Sequence, residues 1–119
     1  IKERIETHYF VVAVNQQSQI VGFSSITPQG YLHSMFVHKD FQGEGIATML
    51  LEEIERYAIT AGITRITSEV SLTARPFFEK KGYIVKEEQK RKANQLSLTN
   101  FWMAREMAFL EYYNKKVTD

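Results

Sequence analysis

The sequence predicts an α+β fold built on one mixed, mainly antiparallel sheet flanked by helices. Three observations carry this. Short apolar segments between Tyr9 and His38 are separated by brief polar turns; a helical apolar period runs from about Gly45 to Ala61; and shorter strand-like and helix-like stretches alternate as far as Met107. At 119 residues, with 44% hydrophobic and 24% charged, the chain suits one soluble globular domain with a real core.

Residues 1–7 are charged around Ile1 and Ile5, a spacing that suits the last turn of a helix. Tyr9 to Val14 is β-branched and aromatic, so it reads as a buried strand. The polar turn Asn15 to Gln19 leads to a second strand, Ile20 to Thr27, and Pro28-Gln29-Gly30 to a third, Tyr31 to His38. Links this short predict an antiparallel meander. In the third strand strict alternation puts Tyr31, His33, Met35 and Val37 on one face, with Leu32, Ser34 and Phe36 on the other.

The helix after Gly45 should be about 25 Å long. Ile46, Met49, Leu50, Ile54, Ala58 and Ala61 recur at its period and are expected in the core. Glu52 and Arg56 are spaced for an i,i+4 pair on the wet side, and Gly62 supplies the stop. Ile63 to Val70 reads as a fourth strand. A short helix follows, with Ser71 or Thr73 as N-cap, Pro76 in its first turn and Lys80-Lys81-Gly82 at its end. Tyr83 to Val85 is a fifth strand, and Lys86 to Gln95, charged throughout, an exposed turn or strand end. Leu96 to Met107 closes the sheet with Leu96, Leu98, Phe101 and Met103 toward the core, and Ala108 to Tyr113 reads as a helical tail.

The stretch with most chemistry is Gln42-Gly43-Glu44-Gly45-Ile46-Ala47, between an apolar strand and the long helix. Gly43 and Gly45 permit close backbone approach and positive φ, and the helix start offers unpaired N–H groups and a positive dipole end. Together these make an anion cradle, for which a phosphate or pyrophosphate is the natural occupant. Two glycines before a helix also occur in proteins that bind nothing, so the loop alone stands at even odds. A P-loop would need Gly-Lys-Ser/Thr at its end, where Gly45-Ile46-Ala47 stands. A dinucleotide fingerprint would need glycine at Thr48.

The pattern Gln42-x-x-Gly45-x-Ala47 resembles the acetyl-CoA signature of the GCN5-related N-acetyltransferase (GNAT) superfamily. A second anchor, Ser71-Leu72-Thr73-Ala74-Arg75-Pro76-Phe77-Phe78-Glu79-Lys80-Lys81-Gly82-Tyr83, resembles the family's segment beside the CoA thiol arm. The resemblance extends from about Tyr9 to Met107 and matches the family's element order after its first strand and helices. It implies a GNAT-like sheet lacking the N-terminal strand and helix, and since the chain starts at Ile1 without methionine, an N-terminally incomplete domain over 1–119 is expected.

The function so implied is acetyl-CoA-dependent transfer of an acetyl group to an amine of a small molecule, protein or peptide. By position, the backbone of Met35, Phe36 and Val37 would hold the pantetheine arm, with an N–H near Met35 polarising the thioester carbonyl. Gln42, Gly43, Glu44, Gly45, Ile46 and Ala47 would hold the pyrophosphate, and Ser71, Ala74 and Phe78 would line the thiol arm. The family's general-acid tyrosine falls on Phe78, and its usual asparagine on Ser71, which leaves the acid unassigned. The candidate bases are His33, whose ordinary pKa suits deprotonating an ammonium, and Glu69. A partly exposed strand histidine without a catalytic role is about twice as common as such a base, and Glu69 reads more plainly as an exposed carboxylate. Tyr83 is a third proton-bearing group, with packing in the sheet its plainer role.

Composition narrows the alternatives. Fifteen basic against fourteen acidic side chains give no bulk attraction to nucleic acid or anionic membrane. No apolar run approaches the ~18 residues of a membrane span. The absence of cysteine removes disulfides and thiol nucleophiles and fits a reducing cytoplasm. His8, His33 and His38 have no metal-ligand spacing. Two competing readings stay open. One is a non-catalytic acyl-CoA-binding domain, favoured by Phe78. The other is an interaction domain using the mixed-sign segment Lys86 to Lys92, where a solvated surface is the more ordinary reading. Homodimerisation or strand exchange through the last strands is a further open point.

Overall fold

The computed structural model describes residues 8–93 and 96–107. The helical readings of 1–7 and of Ala108 to Tyr113 lie outside these. Six strands, β1 (Tyr9–Val14), β2 (Ile20–Ile26), β3 (Tyr31–Val37), β4 (Arg65–Ser71), β5 (Ile84–Ala93) and β6 (Leu96–Glu106), form one sheet in the order β1-β2-β3-β4-β6-β5. Helix α1 (Ile46–Thr60) links β3 to β4, and α2 (Arg75–Lys80) links β4 to β5. Only the β3–β4 pair is parallel.

The meander forms as expected, except that β1 is not a buried strand: Phe10, Val12 and Val14 are exposed on one face and the residues between them only half-buried. The β1–β2 turn is held by Asn15, whose Oδ1 accepts from the N–H groups of Gln17 and Gln19 at 2.9 and 3.0 Å. In β3, however, strict alternation fails. The β2–β3 register shifts so that Ser25 faces Ser34 while Ile26 faces Leu32, which makes His33 the extra residue of a bulge. Leu32 is therefore buried in the same core against which Met35 packs, and the His33 ring sits instead by His8 and Tyr31.

Both helices cover one face of the sheet. Leu51, Ile54 and Ala58 of α1 and Phe78 of α2 share a core with Ile26, Leu32, Ile66, Val70, Phe101 and Met103. Met49, expected inside, is 60% exposed, and Ala61 is exposed; Leu51 takes the inward place. The buried stripe of α1 is Ile46, Leu50, Leu51, Ile54 and Ala58, a rotation of the expected face by part of a turn. Arg56 pairs with Glu53, one turn back at i−3, rather than with Glu52.

The largest departure is β5. The charged stretch after Val85 is a regular strand paired to β6 as far as Ala93↔Leu96. The opposed parities of Leu98 and Phe101 then decide the faces of β6: Phe101 and Met103 are buried, whereas Leu98 is 51% exposed. Strand β6 is interior, so among the described strands the edge on this side is β5.

A polar cluster ties α1 to the sheet. The buried Tyr83 hydroxyl donates to Glu55 Oε2 at 2.8 Å, and Arg105 donates to the same oxygen at 3.0 Å. Tyr83 thus packs in the core, with its hydroxyl engaged by Glu55. Burial first, and the Glu55 carboxylate second, push its phenol pKa well above the ordinary 10. The folded state therefore keeps the proton at a pH where the unfolded chain has lost it. The stabilisation is complete below pH 10 and falls as pH rises beyond it.

Tyr83→Phe should cost about 1.5–3 kcal/mol at pH 7 in urea unfolding, the range for a hydrogen bond to a charged group. Above pH 10 the parent should lose stability more steeply than the variant. Parallel stability curves for the two proteins above pH 10 would remove Tyr83 from this account.

Candidate functional site

The site begins where β3 leaves β4. Their ladder comprises only Tyr31↔Thr67 and Leu32↔Ser68, after which the strands part. On its other edge β3 stays bonded to β2, with His38 donating to the Val21 carbonyl at 2.8 Å and Phe36 opposite Phe23. Antiparallel alternation then turns the N–H and C=O groups of Met35 and Val37 toward the gap. Serine hydroxyls secure the strand beside the opening. Ser24 donates to the Ser34 carbonyl at 2.7 Å, Ser68 to that of Leu32 at 3.0 Å, and the Ser25 and Ser34 hydroxyls are 2.8 Å apart.

The Gly loop closes one end. Gly43 and Gly45 have φ of +81° and +83°, and a Cβ on either would meet nothing within 4 Å. The loop is thus bare backbone in a conformation that disfavours side chains. Helix α1 starts with Gly45 as N-cap, no side chain caps it, and its first turn holds no acid. Its leading N–H groups remain available to an anion. Gln42 extends its amide to the Val37 carbonyl at 3.3 Å, joining loop to strand.

Between these parts lies a cleft of about 510 Å³. Of the residues expected at a cofactor, Met35, Val37, Gln42, Gly43, Gly45, Ile46, Ala47, Ala74 and Phe78 line it. Three expected residues do not. Glu44 is exposed on the loop, and the Phe36 side chain lies on the opposite sheet face against Phe23, with ring centroids 5.4 Å apart. Ser71 accepts from the Ala74 N–H at 3.1 Å in the turn before α2 and lines a neighbouring opening, but the N-cap of α2 is Ala74, without a side-chain cap, rather than Ser71 or Thr73. Phe41, Thr48 and Phe77 line the cleft without having been singled out. Thr48 was legible as a first-turn residue beside the cradle, whereas Phe41 and Phe77 depend on how the turn and α2 pack.

Phe78 is buried, edge-on to both Phe77 and Tyr83 at 5.3 Å. It presents apolar surface and no proton. A smaller opening of about 220 Å³ lies across the parted strands, lined by His33, Ser34, Ser68 and Glu69, and shares Met35, Ala74 and Phe78 with the cleft. The two candidate bases are therefore gathered at one place. His33 is exposed, and Glu69 is partly buried with interactions of its own. Among the described residues no group of three or more His, Asp or Glu is placed to hold a metal.

An anion cradle at one end, a slot lined by alanine, methionine, valine and phenylalanine, and free strand backbone along its wall fit the pyrophosphate and amide-bearing arm of an acyl-CoA. The comparisons agree with this fit. The chain is 29% identical over 103 residues to the N-acetyltransferase YafP of Escherichia coli K12, covering 86% of this chain and 63% of that protein. A crystal structure of a GCN5-related N-acetyltransferase from Rhodopseudomonas palustris superposes with a TM-score of 0.77 at 28% identity, over 88% of this chain and 65% of the other. An aminoglycoside 6'-N-acetyltransferase crystallised with coenzyme A shares the fold at a TM-score of 0.75 and 22% identity, over 89% and 77%. The chain thus spans a little under two thirds of the first two proteins. The model of the acetyltransferase (GNAT) domain matches residues 1–105, and with the cradle and the parted strands in the places that fold requires, the chain belongs to the GNAT acetyltransferase family.

Proposed function

We propose that this chain carries the acetyl-CoA-binding core of an N-acetyltransferase acting on a primary amine in a reducing cytoplasm. The observation that carries the reading is the continuity of the Gly43–Gly45 cradle with the gap between β3 and β4. Coenzyme A supplies the acetyl group as an activated thioester. The N–H groups at the start of α1 hold its pyrophosphate, and the Met35 and Val37 backbone groups bind the amide-bearing arm. The Met35 N–H donates to the acetyl carbonyl oxygen, where negative charge grows during attack. His33 or Glu69 takes the proton that an ammonium must lose before its nitrogen can attack. Phe78 has no proton to give, so protonation of the departing thiolate falls to water.

A non-catalytic acyl-CoA-binding domain is the second reading, and the buried phenyl ring of Phe78 is the observation in its favour. Turnover separates the two.

Isothermal titration of acetyl-CoA should show binding to the parent and at least a tenfold weaker affinity for Gly45→Glu, whose carboxylate would sit where the pyrophosphate binds. Gly62→Glu is the matched control. Gly62 also has positive φ, +80°, with nothing within 4 Å of a Cβ, but lies beyond the other end of α1. Backbone strain of about 1–2 kcal/mol is common to both variants. Equal affinity in the two variants, or none in a folded parent, would sink the cofactor assignment.

For the base, His33→Gln and Glu69→Gln should separate in single-turnover assays. Loss of the true base should slow transfer by about 10²–10⁴-fold with acetyl-CoA affinity intact, and most severely at low pH where the acceptor is an ammonium. Full turnover in both variants would clear both residues.

A further inference from the structure

The sheet face opposite the helices carries an aromatic pair that the transfer chemistry does not use. Trp102 of β6 stacks on Tyr31 of β3, with centroids 5.7 Å apart and ring planes 17° from parallel, although β4 lies between the two strands. The pair therefore bridges over β4 where Tyr31 pairs with Thr67, one rung before the strands part. Glu87 stands cross-strand from Trp102, exposed and without an ion pair among the described residues. Arg65 on the same face is engaged by Glu106 at 2.5 Å. Tyr31 also meets His33 edge-on at 6.0 Å, so the aromatic row continues to the opening that holds both candidate bases.

Ring faces with a carboxylate beside them attract a cation. The reacting amine itself cannot be that cation, because it must be neutral when it attacks. We propose that Tyr31, Trp102 and Glu87 form a subsite for a second positive charge on the acceptor, so that the substrate class is a diamine or longer oligoamine. Tyr31 and Met35 are four residues apart on one strand, about 13 Å at the usual rise per residue. The bulge at His33 shortens this, so the two nitrogens should be on the order of 10 Å apart. The proposal rests on the acetyl-transfer reading, since it assigns the reacting nitrogen to the parted strands.

Trp102 is the chain's single tryptophan, so its fluorescence reports on this subsite without any turnover. The full chain is titrated with α,ω-diamines of four to ten carbons and with the monoamine of each length. Trp102 emission should change with diamines of intermediate length at concentrations about tenfold below those needed for the matching monoamines. With acetyl-CoA present, kcat/KM should favour the diamine by a similar factor, mostly through KM. In Tyr31→Leu and in Trp102→Leu that ratio should fall toward one, and Trp102→Phe should restore most of it. Acetyl-CoA titration checks that each variant is folded, and if one leucine variant is not, the other decides.

Equal response to monoamine and diamine in a parent that binds acetyl-CoA would overturn the subsite. Diamine-selective fluorescence without any acetyl transfer would leave the subsite standing and refute the catalytic reading instead.

Discussion

The structure depends on one unfinished ladder. A strand inside a sheet normally spends its backbone donors and acceptors on both neighbours, and a buried group left unpaired costs about 1–3 kcal/mol. Strand β3 is paired along its length to β2 but to β4 only at Tyr31 and Leu32. The Met35 backbone and the Val37 N–H are thereby left without a strand partner on that side, while Gln42 meets the Val37 carbonyl. On the helix side Phe78 and Ala74 of the α2 segment and Ile46 of α1 line the cleft that opens there.

The bulge at His33 and the four serines belong to the same arrangement. A bulge adds local twist and redirects the side chains that follow it. Here it brings Leu32 into the core and lets Met35 keep an inward position, while His33 goes to the opposite face. Ser24, Ser25 and Ser68 are buried, and each hydroxyl meets an oxygen of β3. Valine at these places would pack as well in a plain sheet. Its methyl groups could not hold the carbonyls on either side of the point where regular pairing stops.

This logic explains what could be read from the sequence. Elements marked by local signals were legible: the meander from its turn residues, α1 from its period and Gly45, α2 from Pro76 and its lysine-glycine end, though its N-cap is Ala74. The cradle was legible for the same reason, since an N-terminus and its glycines are contiguous. What failed was decided by contacts distant in sequence. Alternation in β3 broke at a bulge set by pairing with β2, and no residue there announces one. The orientation of α1 differed by part of a turn because the sheet favours Leu51 over Met49, two residues of similar apolarity. Phe41 and Phe77 reach the cleft only through packing, and the meeting of His33 with Glu69 joins two strands across the parallel crossover.

Strand β5 shows how far pairing can override composition. Lys86, Glu87, Glu88, Lys90 and Lys92 have little intrinsic preference for a sheet, yet past a bulge at Lys86 the stretch from Glu87 on is an unbroken ladder against β6. The hairpin supplies the hydrogen bonds, so the side chains need only tolerate a strand that is open along its outer edge. Charge is then an advantage. An edge of apolar residues would invite another strand, and the charged run Lys86 to Lys92 discourages this by holding water along it. Because β5 screens β6, the interior strand can carry Phe101 and Met103 toward the helices and Trp102 toward the open face. A charged edge is thus the condition on which an aromatic residue can stand one strand away from the parted ladder without becoming a site of aggregation.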